Sequence, residues 1–191
     1  GFTLIEVIVV MAVLLFVVGT ATGIFISIVQ HQRILLSEQE LLNQTSYILE
    51  RMSKSLRVAK LDSTGECLID DFGISYPGYN YLLTRPVAGV YTGIKFINQS
   101  DVNQSGNPVC QEFYLENSVL KEIKDGGAEI AVTSDKFTIN SVRFGINGEP
   151  GSVIGAPGAA GGNGIQPRVT IFLEIQIKGD NNQSVKKIQT T

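Results

Sequence analysis

Glu6 makes the sharpest chemical demand in the chain. Residues 7–29, which follow it, carry no charged side chain. Wound as an α-helix at about 1.5 Å per residue they would run roughly 35 Å, enough to cross the ~30 Å hydrocarbon core of a bilayer. A carboxylate at the edge of such a run costs free energy unless a cation or hydrogen-bond donors meet it. Glu6 is therefore a functional candidate rather than a stray interfacial acid.

Other chemistry-bearing sets are thinner. Cys67 and Cys110 are the two cysteines, and both fall where the apolar run would leave the chain outside the membrane, so oxidation is permitted. A Cys67 to Cys110 disulfide is the preferred expectation and two unpaired buried thiols the other; spacing does not choose between them. With one histidine, His31, they make a poor zinc set. Asp101-Val102-Asn103-Gln104-Ser105-Gly106 with Glu112 follows the ligand spacing of a calcium loop, but Pro108 breaks the pattern and a strand follows. An ordinary polar turn is expected there, with no metal. Asn43, Asn98, Asn103 and Asn182 each open an N-x-S/T sequon. Tyr76, Tyr79, Tyr81 and Tyr91 cluster around Pro77 and Pro86, as core packing beside turns or as an adhesive surface. His31 lies at the membrane end of a helix, so no Ser-His-Asp or Cys-His set can assemble. The glycine-rich stretch lacks Gly-Lys-Ser/Thr and is no phosphate cradle. The expectation is a protein that is not an enzyme and takes no cofactor.

The elements that must position these residues follow from periodicity. Neither a basic n-region nor an A-x-A site flanks the apolar run, so a retained helix is expected and not a cleaved signal. Within it, Gly19-Thr20-Ala21-Thr22-Gly23 is the weakest helical stretch; Gly19 and Gly23 mark a point of loosening or of close helix contact in an assembly. From Gln30 the chain turns polar with no Pro or Gly before Gly65, so the helix should reach Lys60. Leu35, Leu42, Leu49 and Leu56, with Ile34, Leu41, Ile48 and Met52, draw an apolar stripe. Glu38 and Thr45 at the second heptad position disfavour a coiled coil and favour packing beneath a sheet.

Asp62-Ser63-Thr64-Gly65 breaks the helix, and strands are expected at residues 73–76, 80–84, 93–97, 110–116, 118–124, 136–146, 168–178 and 184–189. Val169, Ile171, Leu173, Ile175 and Ile177 alternate with mostly polar neighbours, one buried face of a strand that should pair with the last one across Gly179-Asp180-Asn181-Asn182. Residues 147–166, rich in Gly, Ala and Pro, read as an exposed loop, linker or partner-binding. The expected organisation is a hydrophobic helix over 1–30, an amphipathic continuation over 31–60 and a β-rich head over 61–191. Net charge is −3, with five basic and three acidic residues over 31–60 and ten basic and fourteen acidic beyond. No strongly basic patch supports direct nucleic-acid binding.

Gly1-Phe2-Thr3-Leu4-Ile5-Glu6 and the apolar helix behind it resemble the processing signature of type IV prepilins and of the pseudopilins of type II secretion. The likeness joins a short motif to an unbroken apolar run and an amphipathic continuation, and covers about the first third of the chain. It implies the α+β type IV pilin fold, a long protruding N-terminal helix packed on an antiparallel sheet. It also implies cleavage by a membrane peptidase after Gly1, methylation of Phe2, and a family acid at Glu6. Gly1 still heads this sequence; retained, it would shift the positive amine by one residue. Segments 49–57, 166–171 and 188–191 are similar to minor pilins and J-type pseudopilins. The partners so implied are copies of itself in a helical filament, other pilins, the prepilin peptidase and assembly machinery, and the inner membrane before assembly. The end point would be a surface filament, or a periplasmic one for a pseudopilin. Outside the family stands a single-span anchored adhesion or binding protein that never polymerises.

Overall fold

The computed structural model describes residues 1, 3–148, 167–178 and 185–191. They form an α+β protein with one long N-terminal helix, α1 (Leu4–Arg57), and antiparallel sheets. The chain divides into two compact units, Gly1–Leu42 and Asn43–Thr191.

The first unit is helix alone. Residues 4–28 are exposed throughout, and α1 is long and apolar enough to cross a membrane. The helix stays regular through Gly19 and Gly23, where an added Cβ would meet nothing within 4 Å. Thr20 and Thr22 turn their hydroxyls back to the carbonyls of Val17 (2.9 Å) and Val18 (2.8 Å), which satisfies them in an apolar setting and favours a slight bend.

The second unit begins with the last turns of α1, where Thr45, Ile48, Met52 and Leu56 are buried along one face. Of the expected apolar stripe, Leu41, Ile48, Met52 and Leu56 are buried, whereas Ile34, Leu35 and Leu42 are exposed and Leu49 only half-buried. A straight helix of 3.6 residues per turn drifts about 20° per heptad, so the edge formed by Leu35, Leu42, Leu49 and Leu56 turns from exposed to buried along the helix. The helix also stops at Arg57, short of the expected Lys60. Tyr81 Oη donates to the Leu56 carbonyl (2.8 Å), Gln99 N donates to the Val58 carbonyl (3.1 Å), and residues 59–60 become a strand. Lys54 and Arg57 sit in the last turn, where cations suit the helix dipole.

That strand, β1 (Ala59–Lys60), and β2 (Tyr81–Val87) both pair with β3 (Val90–Val102). The sheet continues through β4 (Pro108–Glu116), β5 (Val119–Lys124) and β6 (Ile130–Ala131). A second sheet joins β7 (Phe137–Asn147), β8 (Arg168–Ile177) and β9 (Lys186–Thr190). The β8 and β9 pairing agrees with the expected hairpin, and Ile171, Leu173 and Ile175 are buried as the alternation requires. Residues 73–76 are not a strand; a single bridge, Ile69 to Ser75, stands in their place. The two-residue strands β1 and β6 carry too little pattern to be seen in sequence. The expected turn at 179–182 and nearly all of the 147–166 loop lie outside the described residues.

Register builds a polar lock at the helix face of the first sheet. Tyr81, Phe96, Gln111 and Lys124 line up across four strands, and Leu83, Ile94, Phe113 and Glu122 form the next row on the same face. Glu122 is buried there and accepts from Arg51 on α1 (Nη2 2.5 Å, Nε 3.1 Å), from Gln111 Nε2 (2.7 Å) and from Lys124 Nζ (3.3 Å). Gln111 Oε1 in turn accepts from Asn98 Nδ2 (2.7 Å). A buried carboxylate is tolerated only when its lone pairs are met this fully. Glu122→Ala leaves Gln111 and half of Arg51 without an acceptor in the interior. It should cost about 3 kcal/mol, read as a lower denaturant midpoint with the slope unchanged.

Candidate functional site

At the N-terminus, Thr3 precedes the first turn of α1 and Glu6 reaches back to it. Glu6 Oε2 accepts from the Thr3 backbone N–H (2.9 Å) and from the Thr3 hydroxyl (3.0 Å), while Glu6 N and Val7 N donate to the Thr3 carbonyl (3.1 and 3.4 Å). This is the returning arm of a capping box, in which an acid one turn into the helix meets an N–H that no helical carbonyl can serve. The pattern T-x-x-E before an apolar run is readable in the sequence, and Thr3 supplies hydrogen-bond donors of the kind that carboxylate needs. Glu6 thus has a local role and remains exposed beside Leu4, Ile5 and Val7, which are equally bare. Gly1 is exposed, and Phe2 lies outside the described residues.

No protein-family model, curated protein or solved structure matches the chain. The functional reading therefore rests on the residues themselves.

A second constructed feature is the stretch between β1 and β2, built around two carboxylates, Asp62, expected only as a helix breaker, and Asp70. Asp62 is buried and accepts five hydrogen bonds. Oδ1 takes Gly65 N (2.7 Å), Thr64 N (3.2 Å) and Thr64 Oγ1 (3.3 Å), and Oδ2 takes Leu68 N (2.8 Å) and Cys67 N (3.0 Å). Burial pushes its carboxyl up, but the N–H groups of Leu68, Gly65 and Cys67 and the Thr64 hydroxyl together hold it below the ordinary value. Gly65, at φ +73°, has no room for a Cβ, which would collide with the Ser75 hydroxyl. Asp70 repeats the device, accepting from Phe72 N (2.9 Å), Ile74 N (2.8 Å) and Tyr76 Oη (3.1 Å). For Asp62 the signal in the sequence is an aspartate followed by Ser63, Thr64 and Gly65, the composition of a side-chain-nucleated turn.

Cys67 and Cys110 are joined in a disulfide with Cα atoms 5.6 Å apart, which ties this loop to β4. Tyr76 and Tyr79 meet edge to face at 5.7 Å, and Tyr81 binds the helix end, so these three rings serve packing. The calcium-type spacing is not assembled. Asp101 bonds Lys124 (2.6 Å), Glu112 bonds Thr84 (2.7 Å) and Arg85 (3.3 Å), and Asn103 folds its own turn through Ser105 N and Asn107 N. Among the described residues no group of acids, histidines or cysteines could hold a metal ion. Of the sequons, Asn98 is buried with its amide on Gln111 and cannot be an acceptor, whereas Asn43 is exposed on α1. Asn182 lies outside the described residues.

Because the folded Asp62 holds its proton less tightly than an unfolded aspartate, its stabilisation is complete above the ordinary range near pH ~4 and is lost as pH falls through the lower folded value. Asp62→Asn should cost about 3 kcal/mol at neutral pH and flatten that acid limb, as measured by thermal unfolding in detergent across pH. Replacing both Cys67 and Cys110 by Ser should cost about 4 kcal/mol by the loop-closure relation for a separation of 43, read in the same assay.

Proposed function

We propose that this chain is a structural subunit of a type IV pilus or pilus-like filament that polymerises through α1. The supporting observation is an apolar helical surface, unburied from residue 4 to 28, interrupted by a single carboxylate at its tip. Water is a poor solvent for that surface, so it belongs in a bilayer or against other helices. In this reading the subunit waits in the inner membrane, is cut after Gly1 by the prepilin peptidase, and joins a stack in which Glu6 pairs with the N-terminal amine of a neighbour. Burying either charge alone is costly, so the pair sets register. The open faces at Gly19 and Gly23 let helices approach closely or loosen as they pack. A pseudopilin of a secretion system would use the same parts in a periplasmic filament.

The capping box separates two roles of Glu6. Glu6→Gln keeps the hydrogen-bond acceptor toward Thr3 but removes the charge, while Glu6→Asp keeps the charge on a shorter arm. If charge pairing governs assembly, Glu6→Gln and Glu6→Ala should both insert in the membrane yet lower sheared-filament yield more than tenfold, with Glu6→Asp partly active. Wild-type filament numbers from Glu6→Gln cells would reduce the residue to a helix cap. Membrane-anchored protein without any filament from the unaltered chain would favour a non-polymerising anchored binding protein.

A further inference from the structure

The fold treats the three described sequons differently. Asn98 is 6 % exposed with its amide on Gln111, so a glycan there would have to be buried with it. Asn43 lies inside α1, and Thr45, whose hydroxyl completes that sequon, is 2 % exposed. Asn103-Gln104-Ser105 instead forms the turn that joins β3 to β4, where Gln104, Ser105, Gly106 and Asn107 are all exposed.

That turn holds Asn103 in a defined conformation. Its backbone N–H donates to the Asn107 carbonyl (2.9 Å) and its carbonyl accepts from Gly106 N (2.9 Å), with Gly106 at φ +77°. The side-chain Oδ1 accepts from Ser105 N (3.0 Å) and Asn107 N (3.1 Å). A carboxamide nitrogen is a poor nucleophile because its lone pair is shared with the carbonyl. Two N–H donors on Oδ1 favour the form in which negative charge collects on that oxygen, and so ease loss of a proton from Nδ2. Asn98 Oδ1 likewise accepts from Ser100 N (3.0 Å), so the turn alone does not select a site; exposure does.

Two further features leave the Asn103 sequon open to an enzyme. Ser105 builds the turn with its backbone N–H, and its hydroxyl bonds to no group among the described residues. Nδ2 carries two hydrogens, of which one donates to Asp125 Oδ2 (3.1 Å) in an exposed contact that water can replace. Asp125 is fixed in turn by Cys110 N on its other oxygen (2.7 Å), which makes it a positioning residue for the amide.

We propose that Asn103 is an N-glycosylation site, its substrate an oligosaccharide carried on a lipid diphosphate. Asn103 Nδ2 gives one proton to a base of the transferase and forms a bond to C1 of the first sugar. The bond from C1 to the diphosphate oxygen breaks, and the lipid diphosphate leaves with the electron pair. The hairpin end keeps the product in water, as a bulky polar group requires. The inference rests on the part of the proposed function that puts the β-rich unit outside the cytoplasm.

The test uses full-length protein purified from the membranes and filaments of the cells that make it, with thiols trapped before lysis. After reduction and alkylation, trypsin releases residues 96–121, which carry both Asn98 and Asn103, and fragmentation mass spectrometry places any sugar. A glycan on Asn103 is expected. It should vanish in Asn103→Gln and in Ser105→Ala, and persist in Ser105→Thr. Ser105→Ala keeps the backbone N–H that forms the turn, so a folded, unglycosylated variant with its Cys67 to Cys110 disulfide intact separates loss of the hydroxyl from loss of the fold. Bare Asn103 in protein whose cysteines are oxidised overturns the site and leaves export standing. Sugar at other asparagines alone, or on Asn103 in Ser105→Ala, also overturns it. Bare Asn103 with both cysteines reduced in the cell overturns the site and the export reading together.

Discussion

The β-rich unit depends on one buried carboxylate. Glu122 has left water, and what makes that tolerable is a set of donors drawn from three places: Arg51 on α1, Gln111 on the neighbouring strand and Lys124 two residues along its own. Apolar contacts alone would let a helix slide or rotate over a sheet, since burial is non-directional. Hydrogen bonds to a fixed acid remove that freedom, because any other rotation of α1 would leave the charge unmet. The covered face at Thr45, Ile48, Met52 and Leu56 is the face that this lock allows.

Two glutamates in one chain thus illustrate two solutions to the same problem. Glu122 is enclosed and fully partnered, and Tyr81 Oη closes the adjacent helix end. Glu6 is bare, partnered by Thr3 alone among the contacts described, at the head of an apolar surface that no part of its own unit covers. The first arrangement is complete within one chain. The second leaves an apolar helical surface uncovered, and the proposed function is placed at that end.

Between β1 and β2 the backbone lacks a ladder to satisfy it, and Asp62 and Asp70 take that work over. Each carboxylate collects N–H groups that would otherwise be orphaned, so an irregular stretch acquires a defined shape. The disulfide adds a covalent tie to the sheet. The outcome is a defined backbone shape in place of the expected strand at residues 73–76.

From sequence alone came the long apolar helix, its lone acid, the α+β class, and most strands, because these rest on local signals: hydropathy over a long window, alternation at period two, and turn residues between. The β8 strand and its hairpin partner were legible for that reason. Other features depend on partners distant in sequence and were decided only by tertiary structure. The end of α1 at Arg57 depends on Tyr81 and on pairing with β3, and the buried helix face depends on Glu122 and Gln111. Asn98 opens a sequon, yet the sheet buries it with its amide on Gln111. Asp101 and Glu112 shared a calcium-like spacing, yet Lys124 claims one and Thr84 with Arg85 the other. Residue type and spacing determine what a side chain can do; which neighbour it does it with is settled by the fold, because hydrogen bonds and burial act across space and not along the chain.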